Sequence, residues 1–161
     1  MDGTRGLRCL LALCHSQIGG QGLRGVAKNH VAAFRCIMRE VDVSVLVTVH
    51  NRAELLPTFL AHLELQTVPA ARFEVLLLDE NSSDATADVV RRCAAGAPMP
   101  LHYVRLEAAG TSRARNTGTK MARGKYVLFL DVELLAGPTL VEQHLRAHEA
   151  HEEAGCFIGE I

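Results

Sequence analysis

The sequence predicts an α/β fold with a mostly parallel sheet, and three observations carry that prediction. Short, nearly continuous apolar runs recur along residues 41–161 and alternate with segments of helical spacing. The first, Val43–Val49, is nearly continuous and β-branched, the pattern of a strand buried on both faces, and Phe73–Leu78 reads as a second buried strand. Three of the runs stop at polar clusters, Thr48/His50/Asn51/Arg52, Asp79/Glu80/Asn81 and Asp131/Glu133. Ligands of such sheets bind beyond the carboxyl ends of the strands, so these clusters are where function is expected.

The elements follow in order. Val43–Val49 is the first strand, and Asn51 is placed to cap a helix over about 52–66, with Leu55, Leu56, Phe59, Leu60 and Leu63 on one face. Pro57 falls near the first turn of that helix, where proline is tolerated. Phe73–Leu78 is the second strand, followed by the polar loop 79–84 and a helix over about 84–95 capped by Ser83 or Asp84. Leu101–Leu106 is the third strand, and Gly110 precedes a helix over about 112–122. Tyr126–Leu130 is the fourth strand and runs into Asp131; a helix over about 138–152 begins near Pro138. Residues 156–161 read as the opening of a fifth strand. The sequence ends inside that apolar run, the pattern expected of a C-terminally incomplete domain.

Residues 1–40 differ. They are rich in glycine and arginine, lack a clear period and contain the breaker cluster Gly19-Gly20-Gln21-Gly22, so a poorly ordered leader is expected there. Arg5 and Arg8 precede a short apolar run over 9–14, which His15 and Gln17 end too early for a secretory signal.

Composition narrows the function. The 161 residues suit one core, with 48% hydrophobic and 22% charged residues. A formal net charge of −1 and the absence of Trp argue against a nucleic-acid partner. The five cysteines form no Cys-x-x-Cys pair, which speaks against a zinc or redox motif and for free thiols in a cytoplasmic protein. No apolar run approaches the ~20 residues of a membrane span. Peripheral attachment at the inner membrane face is compatible with that expectation.

Carboxylates at strand ends hold bare phosphate poorly. They suit a divalent cation and hydrogen bonds from a base or ribose. His144, His148 and His151 recur at helical spacing, and with Glu142, Glu149, Glu152 and Glu153 they read as a solvated helix face rather than metal ligands. Lys120, Arg123 and Lys125 read as a surface group.

Four pieces in order resemble the family-2 glycosyltransferases: Val43–Arg52 with Gln66-Thr67, Phe73–Val75 leading to Asp79-Glu80-Asn81-Ser82-Ser83-Asp84, Ser112–Gly118, and Ala122–Asp131. The resemblance covers residues 41–161. It implies a GT-A fold, a Rossmann-like, mostly parallel sheet flanked by helices. It also implies a nucleotide-diphosphate-sugar donor, a divalent cation (Mg or Mn), and a glycan, lipid or protein acceptor, as in polysaccharide or cell-wall glycan synthesis. Thr48, His50 and Asn51 fall where the family surrounds the nucleotide base, with His50 in place of the usual Tyr. Asp79 and Glu80 fall on a pair that is usually two aspartates, one of which accepts hydrogen bonds from the base or ribose. Arg115 falls where it can reach the diphosphate. Asp131 and Glu133 fall on the metal motif, with Glu133 one methylene longer than the usual Asp. Inversion needs a general base, which the resemblance places beyond Ile161, so this chain alone is expected to be inactive.

Two other classes compare with it. A non-catalytic nucleotide-sugar-binding module is favoured by the altered acidic motifs. A nicotinamide oxidoreductase would need a glycine fingerprint after the first strand, and the turn Thr48-Val49-His50-Asn51-Arg52-Ala53 has none.

Overall fold

The computed structural model describes residues 41–107, 110–153 and 155–156. Four parallel strands form one sheet in the order β3-β2-β1-β4: β1 is Val43–Val49, β2 Phe73–Asp79, β3 Leu101–Arg105 and β4 Tyr126–Asp131. The connecting helices are α1 (Leu56–Glu64), α2 (Thr86–Ala94), α3 (Thr111–Met121) and α4 (Leu140–Ala150), with a short 3-10 turn at Ala70–Arg72 before β2.

The central strands β1 and β2 form where expected because their side chains have apolar partners on both sides, whereas β3 and β4, at the two ends of the sheet order, are only half-buried and leave Phe129 exposed. Val43, Val45, Val47 and Val49 point to one face, and with Val75 and Leu77 they meet Leu56, Phe59, Leu60 and Leu63 of α1 and Val141 and Leu145 of α4. Leu46, Leu76 and Leu78 point the other way, onto Ala114 of α3. The two-residue period of a strand thus turns one apolar run into two core faces.

The order of the strands positions the site. The chain runs from β1 through β2 to β3 on one side, then returns to lay β4 against the other side of β1. The connection from β1 goes to β2 on one side and the connection from β3 returns to β4 on the other, which opens a crevice between the carboxyl ends of β1 and β4. The register brings Val49 opposite Asp79 and Thr48 opposite Asp131. Asp79 and Asp131 therefore flank the end of β1 two strand spacings apart, roughly 10 Å.

Helix α3 begins after Gly110 as expected, whereas the other helix starts depart from the sequence reading. Asn51 does not cap α1: it is left-handed at φ 52°, and its side chain accepts hydrogen bonds from the amides of Ser83 and Asp84 at 2.8 and 3.3 Å. Arg52–Leu55 instead makes a turn, with the Leu55 and Leu56 amides donating to the Arg52 carbonyl. Helix α1 then begins at Leu56 with Pro57 in its first turn. Helix α2 begins at Thr86, whose amide donates to Asp84 at 3.0 Å. Helix α4 starts after Pro138, at Leu140.

Two surface readings are also qualified. His148 stacks on Tyr126 of β4 with ring centroids 4.1 Å apart, and His144 is half-buried, so the histidines of α4 turn partly toward the sheet. Burial, and then the neighbouring His148, pushes the His144 imidazole below its ordinary pKa. Arg123 lies at the surface as expected, but it also grips the buried Glu74 through Nε at 2.8 Å and Nη2 at 2.6 Å and so has a structural role. The expected leader over 1–40 and most of the expected fifth strand lie outside the described residues. Among the described residues, no helix is long and apolar enough to cross a membrane.

Candidate functional site

Two loops at the carboxyl edge are laced into one surface. The Glu80 amide donates to the Val49 carbonyl at 2.8 Å, and His50 Nδ1 meets the Glu80 carbonyl at 2.8 Å. The Asn51 amide donates to Ser82 Oγ at 2.9 Å, and the Ala53 amide donates to Asp84 Oδ2 at 3.1 Å. Since Asn51 Nδ2 lies 3.2 Å from His50 Nε2 and can only donate, Nε2 accepts and Nδ1 carries the proton toward Glu80. These bonds fix the imidazole plane and leave the His50 side chain exposed.

The acidic pair at the end of β2 divides its work. Asp79 is fully buried; its Oδ1 accepts from the Ser82 amide at 2.8 Å and from Ser82 Oγ, and its Oδ2 accepts from the Tyr103 hydroxyl. Burial, and then the hydrogen bond to Asp79, pushes the Tyr103 phenol up to about 12, so it stays a donor throughout the physiological range. Glu80 is half-buried, and among the described residues its carboxylate has no hydrogen-bond partner. Of the two acids, Glu80 is the one whose carboxylate remains available to a ligand. Arg105 supports the loop from β3 by donating to Asn81 Oδ1 and the Ser82 carbonyl at 3.0 and 2.9 Å.

Across the crevice, both remaining acids meet arginines. Asp131 accepts from Arg115 Nη2 at 3.4 Å, and the Arg115 guanidinium lies 5.8 Å from the Phe129 ring centroid. Glu133 accepts from Arg52 Nε at 3.0 Å, which ties the loop after β1 to the turn after β4. Thr48 is half-buried beside Asp131 in the β1–β4 register. The site residues read from the sequence thus gather along one edge, with His50, Asn51 and Glu80 over β1 and β2, and Arg115, Asp131 and Glu133 by β4.

Asp131 and Glu133 are hard oxygen donors with side chains 63% exposed. Such a pair fits a cation of the Mg or Mn type, which takes one or two carboxylates and completes its shell with water and phosphate oxygens. Among the described residues, no group of three or more His, Cys, Asp or Glu is arranged to hold a metal. Among the described residues, Asp131 and Glu133 therefore offer a partial shell. A cavity of about 780 Å³ runs along β4 toward α4. Its lining is largely apolar, and only its end at Arg115 and Asp131 meets the strand-end cluster.

Ser82, Tyr103, Arg105 and Arg52 carry the geometry without having been singled out for a role. Arg52 had a local signal, as a cation beside the first-strand cluster. Tyr103 and Arg105 had none, because their partners lie on another strand.

A parallel sheet with a polar strand-end row at its switch point is an α/β arrangement that places ligands at that row, and comparison with known proteins makes the class specific. The profile described as "Glycosyl transferase family 2" matches residues 44–160. The chain belongs to glycosyltransferase family 2, and its sheet and helices are those of the GT-A fold. It is 37% identical over 119 residues to the validoxylamine A glucosyltransferase of Streptomyces hygroscopicus subsp. jinggangensis, covering 73% of this chain and 28% of that enzyme. Its fold matches Staphylococcus aureus TarS 1–349 in complex with UDP-GlcNAc at a TM-score of 0.62 and 24% identity, over 74% of this chain and 37% of that one. It also matches the mannosyltransferase PcManGT of Pyrobaculum calidifontis in complex with GDP-Man and Mn2+, at a TM-score of 0.56 and 27% identity, over 68% of this chain and 35% of that one. The chain thus spans little more than a quarter of the length of the glucosyltransferase.

Proposed function

We propose that this chain carries the donor site of a glycosyltransferase that moves a sugar from a nucleotide-diphosphate sugar to an acceptor hydroxyl with inversion. The observation that carries the reading is the row of residues at the carboxyl ends of β2, β1 and β4. Its acidic ends lie roughly 10 Å apart, a span suited to a nucleoside at one end and its diphosphate at the other. The printed ligands of the two structural neighbours, UDP-GlcNAc in one and GDP-Man with Mn2+ in the other, support a donor of this class.

In this reading the base lies on the exposed His50 ring, whose plane the loops already hold. Glu80 accepts hydrogen bonds from base or ribose, and Asp79 keeps the loop in shape through Ser82 and Tyr103. Thr48 and Asn51 frame the pocket between the loops. Arg115 meets the diphosphate, and Asp131 and Glu133 would hold Mg or Mn, which when bound offsets charge on the departing nucleoside diphosphate. The acceptor hydroxyl must give its proton to a general base as it attacks the anomeric carbon. None of the strand-end residues is assigned that role.

A nucleotide-sugar-binding module without turnover is the second reading. It is favoured by the arginines that already occupy both acids of the metal motif. One assay separates the two readings in part. The chain is incubated with UDP-, GDP- and dTDP-sugars and Mn2+, and release of nucleoside diphosphate is followed beside binding. Release with one donor, lost in Asp131→Asn, supports transfer chemistry. Binding without release is what either reading gives for this chain alone, and failure of every nucleotide to bind contradicts both.

A further inference from the structure

We propose that Arg52 is a built-in counter-cation of the acidic pair, which occupies Glu133 while no divalent cation is bound and makes cation binding depend on the nucleotide diphosphate. The inference rests on reading Asp131 and Glu133 as cation ligands, and it concerns what this chain places against them beforehand.

Arg52 is held from both sides. Its Nη1 donates to the Asn51 carbonyl at 3.2 Å and to the His50 carbonyl at 3.5 Å, within its own loop. Its Nε donates to Glu133 Oε1 at 3.0 Å, across the crevice. The left-handed backbone at Asn51 turns the loop that presents it. The guanidinium therefore lies on the same carboxylate that a cation would need. The two cannot share it without close repulsion between like charges.

The pair is built to exchange. Arg52 and Glu133 side chains are 46% and 63% exposed, and ion pairs of that exposure are weak. A nucleotide diphosphate arriving at the crevice offers the displaced guanidinium another anion, one whose oxygens suit its forked donors. The carboxylate then turns to the cation and the arginine to the phosphate. By linkage, the nucleotide raises cation affinity, and part of that gain passes through Arg52.

The test uses Mn2+ as the probe, with free ion counted by electron paramagnetic resonance. Wild type, Arg52→Gln, Arg52→Lys, Glu133→Gln and the Arg52→Gln/Glu133→Gln double variant are compared, each checked for an unchanged thermal melt. Without nucleotide, Arg52→Gln is expected to bind Mn2+ about three- to tenfold more tightly than wild type, as loss of one nearby positive charge near a surface should give. Arg52→Lys stays near wild type, Glu133→Gln weakens binding, and the Arg52 effect shrinks in the double variant. With UDP, GDP or dTDP present, and after correction for ion held by free nucleotide, the gain in Mn2+ affinity is larger in wild type than in Arg52→Gln. Unchanged or weaker Mn2+ binding in Arg52→Gln, while Glu133→Gln still weakens it, overturns the role of Arg52 alone. Absence of Mn2+ binding in every variant, or indifference to Glu133→Gln, overturns the cation site and this inference with it.

Discussion

Glu74 is only 1% exposed, and a lone carboxylate in that position would be costly. It is met by Ser44 Oγ at 2.7 Å, the Arg123 amide at 2.8 Å and two guanidinium nitrogens of Arg123. Burial alone would raise its pKa, but these hydrogen bonds and the Arg123 charge overcome that and hold it below the ordinary 4.5. A lowered folded value means stability that is present above the unfolded value and lost as pH falls through the folded one. Glu74→Gln is expected to lower unfolding free energy in urea by about 2 kcal/mol at neutral pH. The gap between variant and wild type should close as pH falls below that range, and a pH-independent gap would contradict the account. Gly124, beside this network, has no room for a side chain: a Cβ would lie 2.5 Å from the Ser44 amide nitrogen and 2.7 Å from the Val43 carbonyl carbon. Gly124→Ala should push β4 away from β1 and cost about 1–3 kcal/mol by the same measurement. None of this network is evident in the sequence, where Glu74 is a lone acid in an apolar run and Arg123 one of several surface cations. Its partners are 30 and 49 residues apart along the chain.

At the scale of elements, the strands and the start of α3 after Gly110 were legible and the other helix starts were less so, for one physical reason. A strand buried on both faces needs apolar residues throughout, so composition marks it. A helix start depends on which donors and acceptors satisfy its first turn. Here the residues suited to capping serve other loops: Asn51 bonds to Ser83 and Asp84, and Asp84 bonds back to Ala53 as well as to Thr86. Asn51→Ala removes both the acceptor and a side chain that tolerates the left-handed backbone. Hydrogen exchange should speed at the Ser83 and Asp84 amides, while the amides of Val75–Leu78 in β2 keep their protection. Equal loss in both places would mean that the loops are not a separate unit. The candidate site was legible to the same degree. Acids at strand ends could be seen, whereas the internal use of Asp79 and the availability of Glu80 required Ser82 and Tyr103 in place.

At the scale of the whole molecule, the sequence allowed a parallel sheet but not its order. That order decides function, because reversal of direction at β1 places the Asp131/Glu133 turn beside the first loop rather than at a distant edge. The pattern of apolar runs supplied the α/β class and the resemblance to family 2 its GT-A type, and the geometry then explains why His50 and Glu133, both departures from the usual motif, still face the crevice. His50 is held by Glu80 and Asn51, and Glu133 reaches Arg52. The most direct test of the donor site is titration of UDP, GDP and dTDP, with Mn2+ replaced by Mg2+, followed by amide chemical shifts. The account predicts saturable shifts in residues 48–52, 80–84 and 131–133 for one of the nucleotides, and about tenfold weaker binding in Glu80→Gln, as loss of a charge-assisted hydrogen bond implies. Shifts confined to the groove between β4 and α4, or full affinity in Glu80→Gln, would contradict it.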